Sequence, residues 1–192
     1  MALAFASTPT SPKGLGTAPG SPTAPALPNV PLPLAHLLDG PATFDQVFQV
    51  VRGAVRRVLG VERPGLGLGL SDLPPSLGAY WQVTGNLIVM NEGLVRTMEA
   101  NAGSRREYNS FVFVILAHEY LHALGYLDEG AVRKVTARVT RDALGTEHPA
   151  TRMAEGDLWK MFPFLAFAPR GDGRRLRVVT RFDLATTDHY IR

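Results

Sequence analysis

The sequence predicts an α+β fold, with a buried helix packed on a small sheet. Three observations predict it. Residues 111–124 run with little polarity until His118, as a helix buried nearly all round does. Residues 87–90 (LIVM) are apolar throughout, and with 80–83 they flank Thr84, Gly85 and Asn86 as two strands flank a hairpin turn. Apolar side chains also recur at helical spacing at 44–59 and again at 131–144.

Taken in order, residues 1–42 stand apart. They hold nine of the 15 prolines and, before Asp39, a single charge at Lys13. Pro, Ala, Ser, Thr and Gly bury too little apolar surface to offset the entropy of ordering them. This stretch reads as a flexible, disordered extension, and 43–192 as the folded domain. Within it, 27–38 (LPNVPLPLAHLL) suits a tether, or a polyproline II segment that meets a partner.

Order is expected from Thr43. Phe44, Val47, Phe48, Val51, Val55, Val58 and Leu59 share one helical face, with Thr43 as N-cap and Gly60 as the stop. Residues 65–70 (GLGLGL) alternate with period two, a strand whose glycines weaken it or mark close approach. Residues 92–103 read as a short helix. Asn109 or Ser110 is the expected cap of the apolar helix, and Gly125 its left-handed end. In the next helix Val132, Val135, Val139 and Ala143 form the apolar stripe. An aromatic cluster at 159–167, broken by Pro163, is expected to cover the core, and 174–184 reads as a last strand.

Composition narrows the function. With no cysteine there is no disulfide framework, no thiol nucleophile and no thiolate-bound zinc. Any metal site must draw on His, Asp and Glu. A net charge of +3 is far from the dense basic patterning of a dedicated nucleic-acid binder. No apolar run approaches the roughly 18 residues of a membrane span, and the first ten residues lack the basic flank of a secretory signal. A cytoplasmic location is the default expectation.

The chemistry concentrates in AHEYLHALGYLDEG, residues 117–130. It contains His118-Glu119-x-x-His122. Positions four apart lie on one helix face, so two imidazoles can ligate one zinc ion at about 2.0–2.1 Å. Glu119 then reaches the water on the metal and serves as general base without being a ligand. At this chain's His and Glu content the pattern arises by accident in roughly one chain in two hundred. As core residues, the imidazoles and the carboxylate would each need a buried partner; a metal supplies one for both imidazoles.

The extended segment, His118-Glu119-x-x-His122-x-x-Gly125-x-x-Asp128, resembles the active-site helix of zincin metallopeptidases. It is similar to the metzincin-type consensus in the variant where Asp replaces the third His, as in snapalysin-like proteases. The resemblance covers roughly residues 78–130. It implies a zinc metallopeptidase with His118, His122 and Asp128 as Zn²⁺ ligands, Glu119 as catalytic base and Gly125 as the turn that swings the chain back to the metal. It also implies a strand such as 87–91 ahead of the helix, and peptide or protein substrates that pair with an edge strand above it. A methionine beneath the metal, Met153 or Met161, belongs to the same pattern.

From the residues alone the third ligand stays open. Asp128 has the spacing, Glu129 is its neighbour, and either can instead cap the following helix. His148 is a further candidate. Tyr126 can offer its hydroxyl to an oxyanion or pack against the helix end, and Arg133 is spaced for an ordinary salt bridge to Glu129. The expected function is therefore zinc-dependent hydrolysis of peptide bonds. Its alternatives are a non-peptidase zinc hydrolase or a structural zinc domain and, ranked lower, a nucleic-acid module using Arg174, Arg175, Arg177 and Arg181.

Overall fold

The structure, a computed structural model, describes residues 33–83 and 85–181. The expected extension falls on both sides of that limit. Residues 1–32 lie outside it, whereas Pro33–His36 form a single helical turn, α1, that buries Ala35 and, just after it, Leu38. Asn109 Nδ2 donates to the carbonyls of Leu38 (3.0 Å) and Gly40 (2.7 Å), so the packed chain begins ahead of Thr43. Thr84 of the expected turn and 182–184 of the expected last strand are also outside the described residues.

Helix α2 (Phe44–Leu59) is bounded as its sequence dictates. Thr43 Oγ1 accepts from the Gln46 N–H, Gln46 returns the bond to the Thr43 N–H, and Gly60 closes the end in the left-handed region. Among the described residues, four strands form one mixed sheet in the order β2-β3-β1-β4. β1 (Gly67–Ser71) runs parallel to β3 (Leu87–Asn91). β2 (Ala79–Trp81) pairs antiparallel with β3, Tyr80 opposite Val89, and β4 (Leu176–Arg181) lies antiparallel on β1. At Gly69 of β1 the close neighbour is a side chain rather than backbone: a Cβ there would stand 2.8 Å from Leu176 Cδ1.

β3 passes directly into α3 (Glu92–Asn101) through Asn91, which is fully buried and fully used. Its Oδ1 accepts from the Gly93 and Leu94 N–H groups, and its Nδ2 donates to the carbonyls of Leu73, Pro74 and Leu77. One side chain thus caps a helix and pins the loop between β1 and β2.

The apolar helix is α4 (Arg105–Ala123), and it is buried continuously from Tyr108 to Leu121. It begins a turn earlier than Asn109 or Ser110 would have it. Ser104 is the cap, accepting from the Glu107 N–H, and the Glu107 carboxylate accepts from Gly103 N–H. Helix α5 (Glu129–Leu144) follows, then α6 (Pro149–Glu155), the single turn α7 (Leu158–Met161) and a 3₁₀ turn at Pro163–Phe167. Helices α2, α5 and α6 all pack on α4, and one hydrophobic cluster joins them to the sheet. The aromatic segment covers the core only in part: Phe162 and Leu165 are buried, but Phe167 is 87% exposed. No helix among the described residues is long and apolar enough to cross a membrane.

Candidate metal centre

The site lies where α4 ends and α5 begins. Its helix phase puts His118 and His122 one above the other, with ring centroids 4.9 Å apart. The helix stops one turn later in a Schellman arrangement. Gly125 takes a φ of +99°, and the Tyr126 N–H reaches back to the Leu121 carbonyl at 3.1 Å. A side chain at Gly125 would be strained by that φ. The turn returns the chain so that Glu129, the first residue of α5, faces the imidazoles.

Three groups converge there. The two Nε2 atoms are 3.2 Å apart, Glu129 Oε2 is 3.2 Å from His118 Nε2, and Glu129 Oε1 is 3.1 Å from His122 Nε2. Donors held at about 2.0–2.1 Å around a tetrahedral ion stand about 3.3 Å from one another. The nitrogen–nitrogen separation is close to that edge length, and each Glu129 oxygen stands at about the same distance from one of the imidazoles. Both Glu129 oxygens are buried without a hydrogen-bond partner, although imidazole nitrogens are near. Such a cluster suits donors to one cation. Among the described residues, His118, His122 and Glu129 form the group able to hold a metal ion.

Protonation supports the same geometry. His122 Nδ1 is 2.8 Å from the Tyr126 carbonyl, which can only accept, so Nδ1 carries a proton and donates it there, which turns Nε2 toward His118 and Glu129. Burial, followed by the charges of His122 and Arg133, pushes His118 down to about 3, so it stays neutral across the physiological range. Glu119 is 2% exposed and its Oε1 has no hydrogen-bond partner. Burial raises its carboxyl to about 8; a backbone hydrogen bond from Trp81 opposes the rise and the Glu129 charge adds to it. A divalent cation on the neighbouring donors would reverse the sign of that last influence.

Asp128, the favoured third ligand on spacing, is not in this group. Its carboxylate caps α5, Oδ1 accepting from the Ala131 N–H at 2.7 Å, and the carboxylate beside the imidazoles belongs to Glu129. Glu129 pairs with the two imidazoles, and no ion pair joins it to Arg133. His148 is outside the group as well. It is the N-cap of α6, with Nδ1 accepting from the Ala150 N–H at 3.2 Å. Met153 is buried in α6 and lines the cavity that His118 and Glu119 also line, but it stands on a helix rather than in a turn; Met161 is 40% exposed. Tyr126 contributes its backbone carbonyl.

Sequence reasoning passed over Arg63. It binds the carbonyls of Ala123 (2.6 Å) and Gly85 (3.2 Å), its guanidinium lies 5.1 Å from the centre of the Trp81 ring, and its N–H donates to Tyr120 Oη at 2.8 Å. It ties the β2–β3 turn to the end of α4 and so holds Trp81 over Glu119. Nothing in its surroundings, Val61 to Gly65, signals this, because the partners are 18 to 60 residues away. No protein-family model, curated protein or solved structure matches the chain.

Proposed function

We propose that this is the catalytic centre of a zinc-dependent metallopeptidase of zincin type, with His118, His122 and Glu129 as the ligands and Glu119 as the base. The observation that carries the reading is the convergence of two imidazole nitrogens and a carboxylate within 3.1–3.2 Å of one another, with a second buried carboxylate, whose Oε1 has no hydrogen-bond partner, one residue from the first ligand. Three ligands among the described residues leave a coordination position for water, as catalytic sites do; a structural zinc normally has four protein ligands. Zinc bound there supplies Lewis acidity, polarising a carbonyl and lowering the pKa of its water toward about 7.

The protein's own groups do the rest. Glu119 Oε1 accepts a proton from the attacking water and passes it to the departing amide nitrogen. Its burial keeps competing water away and makes both protonation states reachable near neutral pH. The Trp81 N–H holds the other part of the carboxylate in place. β2 is the edge strand beside this residue, and it offers an extended peptide a partner on its open side.

Metal analysis and peptide hydrolysis on three proteins test the proposal. The wild type should carry about one equivalent of zinc and cleave peptides. Glu119→Gln should keep the zinc and lose at least about 100-fold in kcat, the lower range for a general base. His122→Ala should lose both. Full turnover by a zinc-loaded Glu119→Gln would reject the mechanism, and a metal-free wild type would reject the site.

A further inference from the structure

We infer that the cavity beside the candidate metal centre takes the C-terminal residue of a peptide, its apolar side chain inside and its free carboxylate on Arg133. This makes the enzyme a carboxypeptidase with a preference for aliphatic ends, and it rests on the peptidase reading above. The cavity is lined by His118 and Glu119 and walled by Leu94, Phe111, Val114, Met153, Trp159 and Leu165. Its volume is about 70 Å³. That is under half of the roughly 150 Å³ that houses a benzene ring, so a Val- or Leu-sized side chain suits it better than an aromatic one.

One cation interrupts this apolar lining. Arg133 stands on α5 one turn beyond Glu129, exposed, and makes no ion pair with any described residue. An unpaired guanidinium at the rim of an apolar recess complements one ligand chemistry in particular: an apolar group with a carboxylate next to it. In a peptide that combination occurs at the C-terminal residue. Cleavage then breaks the last peptide C–N bond. The water oxygen joins the carbonyl carbon, a water proton reaches the amine by way of Glu119, and the last residue leaves as a free amino acid.

Calorimetric titration of the zinc-loaded full chain with N-acetyl-L-leucine and with N-acetyl-L-leucinamide separates the possibilities. The acid should bind about 10–100-fold more tightly than the amide, the range for a charge-assisted pair. Arg133→Met should remove most of that preference and Arg133→Lys should restore part of it. Arg133 is exposed, so neither variant should disturb folding, and circular dichroism checks that. Equal binding of acid and amide overturns the inference. So does a preference that survives in Arg133→Met, because the carboxylate would then sit elsewhere, on the metal itself. A parallel assay compares an acylated dipeptide with a free C-terminus against its C-terminal amide. Glu119-dependent cleavage of both at equal rates keeps the peptidase reading and rejects this inference. Tight acid binding through Arg133 without cleavage of either does the reverse: the cavity's ligand stands and the peptidase reading falls.

Discussion

The starts of α5 and α6 pose the same physical problem and solve it differently. Each helix needs an acceptor for its first N–H groups, and each lies near a buried histidine. At α5 the cap is Asp128, and this leaves Glu129 free to face His118 and His122. At α6 the histidine is itself the cap. His148 spends Nδ1 on the Ala150 N–H, and its Nε2 is buried with no hydrogen-bond partner. Both histidines are kept neutral by burial: His118 is pushed down to about 3 and His148 to about 4. Burial and a shifted pKa therefore do not distinguish a site from a structural cap. What distinguishes them is whether several donors share one focus.

Removing the third donor should have the largest effect on this contrast. Glu129→Ala is expected to weaken zinc binding by well over the 10–100-fold typical of losing a group that merely orients a ligand. His148→Asn should leave zinc affinity unchanged. Competition with a chromophoric chelator measures both. If His148→Asn released zinc as readily as Glu129→Ala, the division between the two regions would fail.

The next effect is on pH dependence. His148 is depressed in the folded protein first by burial, then by Arg106 and Arg152, with Asp39 opposing. Its unfolded value is near the usual 6.5. Between about 6.5 and 4 the unfolded chain takes up a proton that the folded protein refuses, so stability falls as pH drops through that window. At about 1.4 kcal/mol per pH unit the loss could approach 3 kcal/mol. His148→Asn retains a capping side chain and should flatten this slope, leaving the dependence that His118 contributes. Urea midpoints at pH 7, 5.5 and 4.5 read the difference between the two proteins.

The smallest effect sharpens the division of labour between neighbouring acids. Asp128→Ala should cost about 1 kcal/mol of stability, as loss of an N-cap does, and should keep its zinc. Zinc lost in this variant without a comparable loss of stability would return Asp128 to the ligand set.

Much of this was legible beforehand for local reasons. Helix phase alone puts residues 118 and 122 on one face, and Thr43 with Gly60, or Gly125 with its turn, announces boundaries through bonds that span a few residues. The pairing of β2 with β3 was legible in the same way, since the hairpin is local. The cap at Ser104 was equally local but was obscured by the more apolar stretch beginning at Phe111. The parallel pairing of β1 with β3, the staple made by Arg63 and the cavity walled from α3, α4, α6 and the 3₁₀ turn depend on contacts between distant segments, which no short window contains.

By itself the sequence determined two imidazoles and an acid on one buried helical turn, because the 3.6-residue repeat leaves no other arrangement. It also determined that no thiol could join them. Only the tertiary structure decided which carboxylate completes the group. Asp128 and Glu129 are adjacent and chemically alike, and the direction in which α5 leaves the Gly125 turn aims one at the helix's own N–H groups and the other at the histidines.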